Sequence, residues 1–273
     1  MKGPLDDGDV ASFHRDGFVI KREWFDGEEM ERLARFARED PDLVSHHMPV
    51  KDTAGRESRL TLWNHPGDDL YGMFSRCRRV VEGAEQLLGD EVYHYHAKMM
   101  LKEPRVGGAW EWHQDYGYWY QNGCLFPHMA SCLIAVDPAT RENGCLQVLK
   151  GSQAMGRIDH IRVGGQTGAD PVRTCEARKV LELVHCEMEP GEALFFHSNL
   201  LHRSDQNRSE KPRLVLICCY NAARNDPYKE HHHPRYTKLQ KVSDAAVKEM
   251  GARVSDSRDF LRGEDDDTSD EGA

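Results

Sequence analysis

From about residue 91 the chain becomes a succession of short apolar and aromatic runs separated by turn residues, and nothing else in it restricts the fold so tightly. The runs cover 92–101, a segment around His113, 129–136, 145–149, 180–186, 193–196 and 213–220. Asn143-Gly144 and Pro190-Gly191 supply tight turns between them. Seven or so strands without intervening helices predict a sandwich or barrel rather than a Rossmann arrangement. The first ninety residues read as mainly helical. An apolar stripe at 30, 33, 34, 36 and 37 predicts one helix, and 79–88 a second, with Gly89 as its C′ residue. A strand-like 18–22 precedes them. Residues 152–178 are polar, Gly-rich and irregular, the best candidate for a substrate lid. The expectation is one domain over 1–262, helical to about residue 90 and β from about 91 to 225.

Composition narrows the function. Hydrophobic residues make up 39% and charged ones 30%, a soluble globular balance. The formal charge is −10, but six acidic residues lie in 264–271, so the remainder carries about −4. The stretch 263–273 is too acidic to bury apolar surface and is expected to be a disordered tail. No basic cluster suggests nucleic acid, and no apolar run approaches the ~20 residues of a membrane span. The N-terminus lacks the apolar core of a signal peptide. Eight cysteines show no C-x-x-C spacing and lie largely in strand-like runs, which favours small buried hydrophobes and a reducing cytoplasm.

The chemistry is concentrated in Trp112-His113-Gln114-Asp115. Two residues apart on a strand, His113 and Asp115 would share a face, with Cα atoms roughly 6–7 Å apart, and one ion could take both. His202 follows His113 by 89 residues and precedes Arg213 by 11. Two histidines and a carboxylate that leave metal positions open are the mark of non-haem Fe(II) oxygenases, and a basic residue at that offset could hold a co-substrate carboxylate. His14 and Asp16 repeat the spacing, but they fall on a predicted helix, where i and i+2 diverge by about 200°. His197 is the second choice to His202; it ends an apolar run and reads as a hydrogen-bonded strand-end histidine. His46-His47 and His231-His232-His233 read as loops. His96, Lys98 and Met100 should face one way, as should Ser131, Leu133 and Ala135. Lys98 is thus the buried cation to explain, a partner for a substrate or co-substrate carboxylate, with Met100 beside it. Tyr116, Tyr118, Trp119 and Tyr120 would wall the substrate side.

These residues, with Phe13-His-Arg-Asp-Gly-Phe-Val, Glu142-Asn143-Gly144-Cys145-Leu146, Gly151-Ser152 and His202-x-Ser204, resemble the phytanoyl-CoA dioxygenase family of Fe(II)/2-oxoglutarate oxygenases, over roughly 10–225. The resemblance implies a jelly-roll (double-stranded β-helix, cupin-like) core flanked by helices. It implies His113, Asp115 and His202 as iron ligands, and Arg213 with Ser204 on the C5 carboxylate of 2-oxoglutarate. It also implies O2-dependent hydroxylation of a small molecule with release of succinate and CO2. The chain departs from the family's frequent Pro-Gly-Ser-His at Lys150-Gly151-Ser152-Gln153, and has Leu133 where some members place Trp. The alternative is a cupin-like metal enzyme that does not use 2-oxoglutarate; a binding protein on the same scaffold is a third reading.

Overall fold

The computed structural model describes residues 3–163, 165–251 and 259–260. In chain order the elements are α1 (Asp7–Asp16), β1 (Phe18–Lys21), α2 (Gly27–Glu39), α3 (Pro41–Ser45), β2 (Met48–Lys51), β3 (Glu57–Trp63), α4 (Leu70–Arg76), α5 (Arg78–Leu88) and β4 (Val92–Lys102). There follow β5 (Trp110–His113), α6 (Asp115–Trp119), β6 (Met129–Ala135), β7 (Leu146–Leu149), β8 (His160–Val163), β9 (Gln166–Ala169) and α7 (Pro171–Val180). The last are β10 (Leu183–Cys186), β11 (Ala193–His197), β12 (His202–Ser204), β13 (Arg213–Ala222) and α8 (Ala246–Glu249). The expected acidic tail at 263–273 lies outside the described residues.

Two antiparallel sheets face each other. One runs β1-β11-β6-β13-β4-β3-β2, the other β10-β7-β12-β5, and β8-β9 forms a separate hairpin. This is the predicted jelly-roll core. Every residue of β13 is buried because both faces of its sheet are covered. Leu214, Leu216, Cys218 and Tyr220 point toward the helices, while Val215, Ile217 and Cys219 point between the sheets. Helix α5 lays Val80, Val81, Ala84, Leu87 and Leu88 on the first face. It comes so close that a Cβ on Gly83 would stand 3.2 Å from the Phe195 ring.

Helices predominate in the first ninety residues, but that segment also holds β2 and β3, which were not expected and which extend the seven-stranded sheet past β4. The alternation through Arg59-Leu60-Thr61-Leu62 carried that signal, with Leu60 and Leu62 buried. One expectation needs correction: the segment 152–178 is not irregular. It holds a 3-10 turn at Ser152–Met155, the β8-β9 hairpin and most of α7. Asp170 caps α7 by accepting the Val172 N–H, with Pro171 in the first turn. Among the described residues no helix is long and apolar enough to cross a membrane.

Candidate active site

His113 is the last residue of β5 and His202 the first of β12, and the two are paired across the ladder. Their ring centroids are 4.0 Å apart. Asp115 does not continue the strand, as its spacing had suggested. Gln114 turns the chain and Asp115 opens α6. The turn still delivers Asp115 to the histidines, with Oδ1 3.9 Å from His202 Nε2. One ligand atom from each of the three lies within 4.8 Å of the others, and all three residues are buried.

The donor set is prepared for a cation. His113 Nδ1 meets the Glu111 carbonyl at 2.7 Å and His202 Nδ1 meets that of Leu200 at 2.9 Å. A carbonyl only accepts, so each Nδ1 carries the proton and each Nε2 presents a lone pair. Burial pushes both imidazoles below their usual range, keeping them neutral. Burial opposes ionisation of Asp115 too, but Lys98, both histidines and the Ser131 hydroxyl outweigh it and hold the carboxyl down at about 2. Lys98 Nζ lies 3.3 Å from Oδ1, and Ser131 Oγ donates to Oδ2 at 3.0 Å. Two neutral imidazoles and an ionised carboxylate on one face fit Fe(II).

These groups open on a cavity of about 330 Å³ between the sheets. Lys98 and Met100 of β4 line it, as do Leu133, Ser204 and Arg213. Arg213 is 2% exposed, and burial lowers its guanidinium only to about 10, so it stays charged. Its Nη1 donates to the Gly144 carbonyl at 2.6 Å, while its buried Nε has no hydrogen-bond partner among the described residues. A buried guanidinium with an idle edge is a seat for a carboxylate.

Other expected residues fall elsewhere. His197 accepts the Asn199 N–H at 3.0 Å and is not part of the triad. Asp16 closes α1 and pairs with Arg15 and Lys150, so the His14/Asp16 pair is structural. Of the four aromatics after Asp115, only Tyr118 and Trp119 line the cavity. Tyr116 is buried and donates its hydroxyl to the Cys124 carbonyl, and Tyr120 is 43% exposed. The chain reading missed Asn122, Arg162, Gln166 and His233, all of which line the cavity. Nothing in the run His231-His232-His233 distinguishes the buried third residue from its neighbours.

The phytanoyl-CoA dioxygenase family model matches residues 13–215. The chain belongs to the phytanoyl-CoA dioxygenase family. Its relatives include the L-proline trans-4-hydroxylase of Streptomyces griseoviridis, 32% identical over 60% of this chain and 67% of that protein. The ectoine dioxygenase of Halomonas elongata is 28% identical over 83% of this chain and 74% of its own length. The crystal structure of EctD from S. alaskensis with 2-oxoglutarate and 5-hydroxyectoine superposes with a TM-score of 0.70 at 23% identity, covering 91% of this chain and 88% of that one. A likeness at that identity speaks for the shared fold. This family member is a non-haem iron, 2-oxoglutarate-dependent dioxygenase of the hydroxylase type, acting on a small molecule. The cupin-like reading without 2-oxoglutarate falls away.

Proposed function

We propose that His113, Asp115 and His202 hold the Fe(II), and that Arg213 and Ser204 hold the distal carboxylate of 2-oxoglutarate. One observation carries the reading: three ligand atoms converge within 4.8 Å on a cavity that also contains a buried guanidinium with an unpartnered Nε. Iron bound there supplies O2 activation coupled to decarboxylation of 2-oxoglutarate to succinate and CO2. The protein's part is positional. The Glu111 and Leu200 carbonyls fix the imidazole tautomers, and Ser131 with Lys98 aims the Asp115 carboxylate. Ser204, two residues from His202 on β12, shares its face and lines the same cavity as Arg213. Leu133, Leu146, Val215 and Ile217 keep that wall apolar. Met100 packs alongside and shapes the co-substrate pocket rather than bonding to it.

Lys98, Arg162, Arg203 and Arg213 line the cavity against a single acid, Asp115, among the described residues. Lys98 is paired with Asp115 and Arg203 with Asp205, which leaves Arg213 as the guanidinium given to 2-oxoglutarate. A reducing cytoplasm is the compartment we favour, supported by eight unpaired cysteines, seven of them buried. The roles are tested by measuring Fe(II)-dependent succinate formation together with iron stoichiometry. His113→Ala should lose iron and turnover. Arg213→Ala should retain iron while raising the 2-oxoglutarate requirement at least tenfold; an unchanged requirement overturns the assignment.

A further inference from the structure

His96 is 2% exposed, and neither of its ring nitrogens has a hydrogen-bond partner among the described residues. Leaving a buried polar atom idle is costly, so such a side chain in a cavity wall points to a ligand. Its placement is built into β4. Cys219 of β13 pairs with His96 and Tyr220 with His94, which leaves Tyr95 as the extra residue of a β-bulge. The bulge turns Tyr95 and His96 to the same side, ring centroids 5.4 Å apart. Trp119 stands 5.5 Å and 5.6 Å from them, and His233 lies 4.7 Å from both. His96, Trp119, Asn122 and His233 all line the cavity that holds the triad, and Lys98, beside Asp115, is two residues along β4.

The polar atoms here are mainly acceptors. Asn64 gives its amide N–H to the His232 carbonyl, so its Oδ1 accepts from His233 Nδ1 at 2.9 Å. His233 Nε2 therefore carries a lone pair. Asn122, 1% exposed, donates Nδ2 to the Tyr95 hydroxyl at 3.2 Å and leaves Oδ1 without a partner among the described residues. Burial keeps His96 and His233 neutral, and the His96 tautomer can offer a further acceptor. Two fixed acceptors need two hydrogens from one ligand group. A hydroxyl has one; an amine or ammonium nitrogen has two or more, and Trp119 offers an aromatic wall that tolerates its charge.

We infer that His96, Asn122 and His233, walled by Tyr95 and Trp119, form a recognition subsite for an amine or ammonium nitrogen of the molecule to be hydroxylated. The inference rests on the iron and 2-oxoglutarate reading of the same cavity. His233 lies past the end of the family match at 215.

The test uses the full chain with Fe(II) and 2-oxoglutarate under anaerobic conditions. Binding is read by calorimetry, and keto acid chelation by the visible absorption band of the iron complex. The probes are two matched triples: L-proline, tetrahydrofuran-2-carboxylate and cyclopentanecarboxylate, and L-norvaline, 2-hydroxypentanoate and pentanoate. In at least one triple the amine should bind tenfold or more tighter than both analogues. His96→Leu should erase that preference with the absorption band intact, whereas His96→Gln, which keeps a donor and an acceptor, should retain most of it. Asn122→Ala should weaken the amine alone. The proposal is overturned if no amine is preferred, if nothing in either triple binds, or if His96→Leu leaves the preference unchanged. Loss of the band in the unaltered protein would instead strike the iron and 2-oxoglutarate reading.

Discussion

Gln114 stands between two proposed iron ligands and touches no substrate-facing space, yet it is fully buried and completely bonded. Its Nε2 donates to the carbonyls of Gly156 and Asn199, and its Oε1 accepts the Ile158 N–H at 2.7 Å. One side chain thus ties the turn between His113 and Asp115 to two other segments. Gln114→Leu would leave three backbone groups without this partner, two of them in buried residues, and should cost about 2–4 kcal/mol in denaturant unfolding while weakening iron affinity. His197 gives a pH prediction. Burial, then the nearby His14 and His128, lower its imidazole from 6.5 to about 4. The folded state therefore resists a proton that the unfolded chain accepts. The stabilisation is whole above pH 6.5, declines as pH falls, and is gone below about 4, a swing of roughly 3 kcal/mol. In His197→Gln, stability measured across pH 6.5 to 4 should fall less steeply; an identical slope would exclude His197 as the titrating group.

At the scale of elements, turns and strand ends place the site. Gly144 has φ +81° in the β6–β7 connection, and a Cβ there would stand 2.2 Å from the Asp205 carbonyl. Its own carbonyl holds Arg213. Gly144→Ala combines a left-handed backbone with a clash, so it should cost about 1–3 kcal/mol and raise the 2-oxoglutarate requirement several-fold. A change in stability without one in co-substrate affinity would uncouple the turn from Arg213. Helix α6 is equally constrained: a Cβ on Gly117 would fall 2.0 Å from the His160 ring, which accepts the Gln114 N–H. The hairpin β8-β9 thus packs against the turn that carries Asp115. It contributes Arg162, Gln166 and Thr167 to the cavity, and so takes the place the sequence had given to an irregular lid.

For the whole molecule, the seven-stranded sheet separates two tasks. One face meets the helices in a core that includes Phe13, Leu33, Phe74, Val80 and Phe195; the other faces the second sheet and the cavity. Because the proposed ligands come from β5, α6 and β12, and Arg213 from β13, the assembled site exists only in the folded chain. Ligand binding should then stabilise the fold as a unit. Fe(II) with 2-oxoglutarate at a hundred times its Kd adds about 2.7 kcal/mol. For a chain of this length that is a rise of roughly 5–10 °C in Tm. A chelator should reverse the rise, and Asp115→Ala should abolish it.

Local pattern was enough to specify β4 to β7, β10, β11 and β13, the stop at Gly89, and the residues that converge as His113, Asp115 and His202, because alternation, turn chemistry and the chemical type of a ligand are all written in neighbouring residues. Leu60 and Leu62 carried the same signal, but in a strand short enough to be overshadowed by helices on both sides. Other features depended on distant segments. Lys98 looked like the buried cation to explain, yet the fully buried lysine is Lys102, held by the carbonyls of Gly108 and Asp205. Likewise His233 looks like its two neighbours until the 226–245 segment folds it against His96. Side-chain type and period are local properties. Which polar atom is left without a partner depends on every segment that packs around it, and only the closed structure decides that.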